Sequence, residues 1–599
     1  MIYSLDEALN KPQIPRDWET QAVVGHGRVI RFLLEQCLAF ARARKRPCVL
    51  GLDGYLAVNW DKIATGVRKN ARDLGASEKL IETASCLRSE AEIEALVNAC
   101  LDKDRFFGSV YRGKLLDFFD LQKLRQLRSR LESLKAEKSS GVVICLGPGA
   151  MLPALASCYD FAAYLDTTRE TVARRMQGKE SLLLGMRHDA VPERSLLRRL
   201  SYVDIGVFNK HKRTVLPKVH WYIDSNDDTH LKLVPTVIYE GLLMALSQVP
   251  FRLKPVYLPG VWGGQYMKTL RNLPREMVNC SFSLEVVPQF QSFRVAIGDV
   301  DLDIPFTNLL WSQPLKVLGQ KSFNKFGHYF PISHNYDDTC HGGDLAIQVH
   351  PGSLYLRRNF NERLRRDETY YVVASCDGAK TYHGLKEDAD VEELRLLAAR
   401  AEQKKIPFDH DRYIHSWPSK RGDLFLIPAG TVHASGANQL VLEIDSDPGW
   451  TGQEYTFHIY DYMRTDLDGK LRDLHIEHAF AVLRRNRRAN YTGRHLKQKP
   501  KLVRRGSRWA EYSLGDCPYL YYKIHRLEFS RTMEDETRDL FHVLTLTEGK
   551  SVVVGASGDS SKQLTIKFTE TLIVPACVGR YSLINRGQKP CQVIKSFLR

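Results

Sequence analysis

Gln348 and His350 lie two residues apart in the apolar run LAIQVHP (345–351). In a β-strand alternate side chains point to the same face, so this spacing predicts that both polar groups project from one side. The apolar, β-branched residues around them are typical of a buried strand. The chain is therefore expected to fold here into a β-barrel that holds an amide and an imidazole together.

Two further residues extend this pattern. Glu368 opens a second apolar run, RRDETYYVV (365–373), and His433 lies in GDLFLIPAGTVHASG (422–436) after a short strand and a Pro-Ala-Gly turn. Two imidazoles, a carboxylate and an amide oxygen gathered in a barrel form a metal site with room for water or substrate. The alternative is that they are ordinary strand polar groups and hydrogen-bonded core histidines.

Length and composition indicate a large globular protein. The chain has 599 residues, of which 43% are apolar and 26% are charged, so about two to four domains are expected. No stretch approaches about 18 uninterrupted apolar residues, and a membrane span is not expected. The N-terminal segment lacks the features of a signal peptide, and the 12 cysteines follow no framework spacing. Reduced thiols and a cytoplasmic location are therefore predicted.

Six ordered motifs occur in the region from about residue 253 to residue 599. They are VWGG (261–264), SLE (283–285), LAIQVHP (345–351), PAGTVHASG (428–436), YDYMR (460–464) and LRDLHIEHA (471–479). By these motifs the region resembles the type I phosphomannose isomerases, a family of cupin-fold zinc enzymes that interconvert mannose 6-phosphate and fructose 6-phosphate. In SLE the central Trp of the family is replaced.

The resemblance implies four metal ligands, which are Gln348, His350, Glu368 and His433. It implies Zn²⁺ as the metal, although the same ligands also tolerate Mn²⁺, Co²⁺ or Fe²⁺. It further implies a sugar-phosphate substrate and an aldose–ketose isomerisation through a cis-enediol. In that reaction a proton moves between C1 and C2 while negative charge grows on the sugar oxygens.

Three residues are candidates for catalysis by the same resemblance. Glu443, in LEIDSD (442–447), matches a family carboxylate near the metal and is the first candidate for the base; a carboxylate held in hydrogen bonds is the alternative. Arg464 matches a basic position of the family. His458 stands where the family has a catalytic Arg, and an imidazole cannot make a bidentate contact with an oxyanion. It could still act as an acid or a base.

Three other residues are candidates for substrate binding. Trp262 belongs to the VWGG motif. Arg366 stands two residues before Glu368, where the family carries Lys, and Lys420 matches a Lys of bacterial relatives. Because the phosphate needs a cation, both basic residues are candidates for holding it. For Lys420, an exposed turn residue is the alternative.

The segment before the metal strand departs from the family. PISHNYDDTCHGGD (331–344) replaces a Lys-containing strand and an Asn-Asp turn, and it is expected to bring His334 and His341 near the metal strand. The resemblance therefore covers the metal ligands more completely than the substrate pocket.

The first 250 residues show a different pattern. Helical periodicity occurs in 28–44, and apolar runs typical of buried strands occur at 47–58, 142–150, 161–168 and 219–227. Strands that alternate with helices predict a parallel α/β sheet.

Two segments make this region similar to the uridine kinase and phosphoribulokinase group of P-loop kinases. They are YLDTTRETVARRM (164–176) and NKHKRTVLPKVHWYIDSND (209–227). A working phosphate loop needs a Gly-rich turn, a Lys and a hydroxyl group for Mg²⁺. In GLDGYLAVNWDKIA (51–64), an Asn-Trp-Asp triplet (59–61) stands in their place. A non-catalytic kinase-like domain is predicted rather than an active kinase, either as a scaffold or dimer surface or as a nucleotide or sugar-phosphate sensor.

Part of the net charge of +16 lies in RRNRRANYTGRHLKQKPKLVRRGSR (484–508). Such a run can bind nucleic acid, but it lacks interleaved aromatic residues, so a solvated linker is predicted and nucleic acid is not expected as a partner. A basic rim would also attract a sugar phosphate. Beyond it, residues 510–599 alternate between apolar and polar, which predicts a second small β-barrel that caps the first.

The predicted protein is multidomain: an N-terminal α/β parallel sheet of the P-loop-kinase type precedes all-β cupin (jelly-roll) barrels with a helical insertion. The predicted domains are the degenerate kinase-like domain (1–250), the metal-binding cupin isomerase domain (251–485), the basic linker (486–509) and the C-terminal cupin-like barrel (510–599). The predicted function is metal-dependent isomerisation of mannose 6-phosphate or a related sugar phosphate. The alternative is a catalytically altered metal cupin joined to a pseudokinase, acting as a regulatory protein that binds sugar phosphate or nucleotide. The sequence leaves open a nucleotide at the N-terminal domain and an association of identical chains.

Overall fold

The computed structural model separates into two compact units. The residues that it describes are 3–4, 8–104, 106–178, 183–186, 193–446, 455–465, 469–556, 559 and 562–599. The α/β unit comprises Leu9–Ala245 and Ser292–Ser312, and the β unit comprises Met1–Ala8, Leu246–Gln291 and Gln313–Arg599. Among the described residues no helix has the length and apolar character needed to cross a membrane.

The α/β unit is built on a seven-stranded sheet in which five neighbouring strands run parallel. In sheet order the strands are Val23–Val24, Lys232–Pro235, Trp221–Asp224, Phe161–Asp166, Cys48–Gly54, Val142–Leu146 and Glu78–Glu82. The helices are His26–Arg44, Trp60–Asp73, Glu90–Leu101, Leu121–Lys135, Arg169–Gln177, Glu193–Arg199, Ile205–Val215, Thr236–Leu246 and Phe306–Ser312. Strand Cys48–Gly54 is buried along its whole length because parallel neighbours and helices cover it.

A hairpin from later in the chain belongs to this unit. Strands Ser292–Ile297 and Val300–Pro305 pair antiparallel, and Leu9–Asn10 joins the first of them in parallel. The following helix contributes Asn308, which donates a hydrogen bond to the buried carboxylate of Asp166 at 2.8 Å. The α/β unit is thus assembled from two separate parts of the chain.

The turn 55–58, which belongs to the segment 51–64 compared above with a phosphate loop, is buried. The hydroxyl group of Thr167 donates to the carbonyl oxygen of Leu56 at 2.7 Å, and Arg175 Nη1 donates to that of Ala57 at 2.7 Å. This turn is therefore packed against protein groups.

The first barrel of the β unit consists of two antiparallel sheets. The larger sheet has the strand order Tyr3–Ser4, Val256–Leu258, Phe282–Val286, Ser333–Asp338, Gln439–Asp445, Glu368–Ser375 and Leu424–Ile427. The smaller sheet has the order Ile414–Pro418, Lys380–Leu385, His433–Ser435, Ile347–Val349 and Phe457–Tyr460. Apolar side chains of the larger sheet form a core cluster of Tyr370, Val372, Phe425, Ile427 and Val441. The polar residues discussed below lie on or next to strands of these two sheets.

The second barrel also has two antiparallel sheets. The six-stranded sheet has the order Lys501–Arg505, Trp509–Gly515, Tyr522–Phe529, Cys591–Leu598, His542–Glu548 and Thr571–Val574. The four-stranded sheet has the order Thr532–Glu536, Arg580–Asn585, Ser551–Ala556 and Gln563–Lys567. The helices of the β unit are Tyr266–Leu270, Pro314–Leu318, Gln320–Phe326, Ser353–Phe360, Val391–Lys404, Ile476–Val482 and Ala489–Tyr491.

The basic segment 486–509 is more ordered than the solvated linker predicted from its charge. It contains the helix Ala489–Tyr491, and Lys501–Arg505 is a strand of the second barrel. Arg487 is buried, and Arg488 Nη1 donates to three backbone carbonyl oxygens. Some arginines of this segment therefore bind elements of the β unit to one another through hydrogen bonds.

Candidate active site

Strand register brings Gln348 together with two histidines. Gln348 pairs directly with His433 on one neighbouring strand and with His458 on the other. His350 is two residues on, so its side chain lies on the same side as that of Gln348. Gln348 Nε2 lies 3.4 Å from His433 Nε2. Because an amide can be turned over in place, the Gln348 oxygen can occupy the same position as a ligand.

Glu368 comes from the facing sheet and meets both imidazoles. His350 Nε2 lies 2.8 Å from Glu368 Oε1, and His433 Nε2 lies 2.8 Å from Glu368 Oε2. Despite these distances, His350 Nε2 and Glu368 Oε2 are buried atoms without a hydrogen-bond partner among the described residues. Buried polar atoms are rarely left unsatisfied. Ligand atoms of three side chains that lie within 4.8 Å of one another fit a metal ion.

Hydrogen bonds on the outer side fix the two imidazoles. His350 Nδ1 lies 3.2 Å from the carbonyl oxygen of Tyr455, and His433 Nδ1 lies 2.9 Å from that of Thr431. A ring that donates from Nδ1 to a carbonyl oxygen presents an unprotonated Nε2, which is the form that binds metal. Burial disfavours the charge on Glu368, but the neighbouring His350 and then the guanidinium group of Arg366 hold the pKa of its carboxyl well below the ordinary value.

Arg366 is buried among three carboxylates. Its Nε lies 2.5 Å from Glu368 Oε1, its Nη2 lies 2.7 Å from Asp445 Oδ2, and the guanidinium also pairs with Glu443. Arg366 lines the cavity described below, as expected for a substrate-binding residue. However, its charge is shared among protein carboxylates. Arg366 should therefore attract a substrate phosphate less strongly than the sequence predicts.

Glu443 is surrounded by groups that donate to it. Arg366 contacts Oε1, and Asn335 Nδ2 lies 3.4 Å from Oε2. Burial and then the charge of Glu443 raise the pKa of the neighbouring Asp337 well above its ordinary value. The environment of Glu443 thus corresponds to the hydrogen-bonded carboxylate that the sequence left as the alternative to a base.

A cavity of about 410 Å³ is lined by Gln348 and Glu368, two of the four residues expected as metal ligands. Its lining residues are Trp262, Phe282, Leu345, Ala346, Gln348, Arg366, Glu368, Glu443, Thr456, His458 and Arg472. Trp262 and Phe282 pack edge to face with ring centroids 4.9 Å apart and form an apolar wall. This volume lies in the range of pockets that bind small molecules.

His458 adds a neutral imidazole to this cavity. Burial, more than any other effect, lowers the pKa of His458 to about 4, so the ring is uncharged near pH 7. The ring is also hydrogen-bonded to the backbone of Asp473. Because a neutral imidazole has one donor and one acceptor nitrogen, the other nitrogen is left as an acceptor.

Two predicted residues lie outside the cavity lining, and one that was not predicted lies in it. Arg464 forms an ion pair with Asp461 and donates from Nη1 to the carbonyl oxygen of Asp344 at 2.7 Å. Lys420 is an exposed turn residue. By contrast, Arg472 lines the cavity and donates from Nη1 to Asp461 Oδ2 at 2.6 Å.

His334 does not join the metal-ligand cluster. Its two ring nitrogens are hydrogen-bonded to Thr545 Oγ1 and Ser596 Oγ, both at 2.8 Å. Burial lowers the pKa of His334 to about 3, so it is a neutral packing residue between the two barrels of the β unit. His341 has a positive φ of 58° and is exposed.

Comparison with known proteins separates the two parts of the chain. A family model described as "Domain of unknown function (DUF8485)" matches residues 34–248. The chain is 28% identical over 240 residues to mannose-6-phosphate isomerase ManA of Bacillus subtilis (strain 168), an alignment that covers 40% of this chain and 69% of that relative.

Solved structures of mannose 6-phosphate isomerases also align with the chain. The enzyme from Bacillus subtilis matches 58% of this chain and 99% of its own, with 21% identity and a TM-score of 0.47. A zinc-bound mannose 6-phosphate isomerase matches 59% of this chain and all of its own, with 12% identity and a TM-score of 0.45. The sequence relatives, together with the converging side chains, support a phosphomannose isomerase-like cupin domain in the chain.

Proposed function

We propose that the protein is a metal-dependent isomerase that interconverts mannose 6-phosphate and fructose 6-phosphate, or a closely related pair of sugar phosphates. The observation that carries this proposal is the convergence of His350 Nε2 and His433 Nε2 on the two oxygens of Glu368. The cavity beside these atoms has the volume of a small-molecule site. Sequence relatedness to a mannose-6-phosphate isomerase supports the choice of substrate.

We propose Zn²⁺ as the resident metal, held by His350, His433, Glu368 and the amide oxygen of Gln348. Two imidazoles, one carboxylate and one neutral oxygen are a donor set that suits Zn²⁺. When bound, the metal supplies a positive charge that stabilises the negative charge growing on the sugar oxygens.

The residues of the chain then have separate tasks. We assign the substrate phosphate to Arg472, because this residue lines the cavity and pairs with Asp461, whereas Arg366 is shared among three carboxylates. Trp262 and Phe282 exclude water from one side of the sugar. The acceptor nitrogen of His458 takes up the proton that moves between C1 and C2, and Glu443 keeps Arg366 in place.

A direct assay tests this function. Purified protein loaded with Zn²⁺ is expected to convert mannose 6-phosphate to fructose 6-phosphate in a coupled assay, and removal of the metal with a chelator is expected to stop turnover. Re-addition of Zn²⁺, Mn²⁺ or Co²⁺ should restore it. Absence of turnover with every metal, together with retained binding of the sugar phosphate, would instead favour a regulatory metal cupin.

The role of His458 is tested by its replacement with alanine. Loss of a positioned proton acceptor is expected to lower kcat about 10²- to 10⁴-fold. Because His458 is not among the proposed ligands, the zinc content should stay at one ion per chain. Steady-state kinetics and metal analysis of the same preparation check both. An unchanged kcat would mean that another group accepts the proton, and Glu443→Gln is then the next variant to measure.

We further propose that the α/β unit is a kinase-like module that does not transfer phosphate. Burial of the turn 55–58 supports this, since Arg175 and Thr167 occupy its carbonyl oxygens. Asn59 Oδ1 accepts from the backbone N–H of Lys62 at 3.1 Å, so the start of the following helix is capped by the protein itself. Release of ADP from ATP by the full-length protein, abolished by substitutions in 51–64, would contradict this proposal.

A further inference from the structure

A second cavity of the β unit, of about 660 Å³, lies outside the metal site. It is larger than the cavity beside His458, and no residue is shared between the two linings. Four arginines line it, which are Arg358, Arg365, Arg484 and Arg487. Asp367 is the one carboxylate among the lining residues. The cavity is therefore strongly positive.

Two of the four arginines have no partner for their charge among the residues that the structure describes. Arg365 donates from Nε to Asp367 Oδ2 at 2.8 Å, so this carboxylate is already paired. By contrast, the guanidinium groups of Arg358 and Arg484 make neither an ion pair nor a hydrogen bond with any residue that the structure describes. Unpaired guanidinium groups at a concave surface are typical of sites that bind phosphate.

Arg487 is a third arginine that can donate further hydrogen bonds. It is 8% exposed, and its Nη1 donates to the carbonyl oxygens of Pro428 and Ala429 and to Thr431 Oγ1. These bonds fix the guanidinium against the cavity wall and use one of its three nitrogens. A rigid guanidinium loses little side-chain entropy when it binds an anion.

A helix begins at the same cavity. The helix Ser353–Phe360 has Gly352 as its N-cap residue, without a side chain to cap the first amides. A Cβ atom added at Gly352 would meet nothing within 4 Å, so the space in front of the helix is open. The uncapped amides of a helix start attract anions.

We propose that this cavity is a binding site for a phosphate-bearing small molecule, separate from the metal site. Arg358, Arg484 and Arg487 hold the phosphate groups, and the start of the helix Ser353–Phe360 supplies backbone amides. Tyr355, Tyr491 and Tyr519 also line the cavity and offer aromatic surface to the organic part of such a ligand. The site also gives a function to Arg484 and Arg487, which belong to the basic run 484–508. This proposal does not depend on the isomerase activity.

Isothermal titration of the full-length protein with pyrophosphate, at constant ionic strength, tests the site. Saturable binding of one pyrophosphate per chain is expected. Arg358→Ala and Arg484→Ala should each weaken it about tenfold or more, because each removes a charge-assisted hydrogen bond. A parallel titration with ADP shows which kind of ligand the site prefers. If the tyrosines contact a base, ADP should bind more tightly than pyrophosphate; equal affinities would indicate a phosphate ligand without an aromatic group. Binding of either supports the site.

Neighbouring arginines provide matched controls. Arg357 is exposed and outside the cavity lining, and Arg485 pairs with Glu392 at 2.5 Å. Arg357→Ala and Arg485→Ala are expected to change the affinity less than about twofold, because salt in the solvent screens the attraction between the ligand and a charge outside the cavity. Since these arginines are on the surface, thermal unfolding of all four variants should match that of the parent.

Three results would overturn the proposal. The first is no saturable binding of pyrophosphate or ADP up to millimolar concentration. The second is equal weakening by the control variants, which would mean attraction by the basic surface as a whole. The third is loss of pyrophosphate binding in His350→Ala, a variant of the proposed metal site, which would place the anion there.

Discussion

Replacement of His350 with alanine is expected to remove the bound metal and to lower the rate of mannose 6-phosphate isomerisation by about 10³-fold or more. The imidazole supplies one of two nitrogen ligands, and its Nε2 is already aimed at Glu368 from 2.8 Å away. A metal ion contributes several kcal/mol of charge stabilisation in such reactions, and about 4 kcal/mol corresponds to roughly 10³-fold in rate. Metal analysis by mass spectrometry and the coupled assay measure both effects.

His415 offers a control for this variant. It lies on strand Ile414–Pro418 of the same sheet, and its ring packs edge to face on Trp417 with centroids 4.5 Å apart. His415→Ala is expected to keep one metal ion per chain and turnover within about twofold, because His415 does not belong to the cluster formed by His350, Glu368 and His433. Full zinc content and turnover in His350→Ala would show that the metal, if any, binds elsewhere.

The grouping of the proposed metal ligands could be predicted from the sequence because it depends largely on local strand geometry. Gln348 and His350 share a face through the two-residue period of a strand, and Glu368 begins a strand in the facing sheet. Sequence motifs indicated that His433 would join them. Only the pairing of Gln348 with His433 needed the structure, because strand neighbours cannot be deduced from the order of strands in the chain.

The basic residues of the pocket could not be predicted in the same way. Arg464 follows two residues in the left-handed region, Tyr462 with φ of 53° and Met463 with φ of 57°. This turn directs Arg464 to Asp461, three residues earlier, instead of the cavity. Arg472 reaches the cavity from the LRDLHIEHA motif. The conformation of a turn decides which of two nearby arginines points inward, and the spacing in the sequence does not.

The α/β unit shows a similar limit. The four apolar runs expected as strands coincide with the buried strands that begin at Cys48, Val142, Phe161 and Trp221. The edge strand Glu78–Glu82 was missed, because Ile81 is its one buried residue and charges flank it. The later hairpin from Ser292 onward was also missed as a part of this unit. Exposure hides an edge strand from hydrophobic patterns, and long-range pairing leaves no local signal.

Replacement of Arg366 with leucine is expected to destabilise the β unit by about 3–5 kcal/mol in the metal-free protein. Arg366 is 5% exposed and pairs with Glu368, Glu443 and Asp445, which are also buried. Leucine would remove the guanidinium group that all three carboxylates contact, and because they are buried, water could not replace it. Denaturant-induced unfolding, followed by tryptophan fluorescence, measures the loss. The free energy of unfolding of Arg366→Lys should lie between those of the parent and of Arg366→Leu. A single ammonium group keeps the charge but cannot contact all three carboxylates at once.

The pH dependence of this loss separates a charge effect from a packing effect. Without Arg366, the three carboxyl groups have raised pKa values in the folded state and bind protons that the unfolded chain releases. The variant is therefore expected to lose less stability at pH 5 than at pH 8, because protonation removes the unpaired charge as the pH falls. A loss of the same size at both pH values would indicate that leucine disturbs packing alone. Arg363→Leu, at an exposed position, should change the free energy of unfolding by no more than about 0.5 kcal/mol at either pH. Added Zn²⁺ should recover part of the stability of Arg366→Leu, since a cation at Glu368 takes over a share of the charge that Arg366 balances.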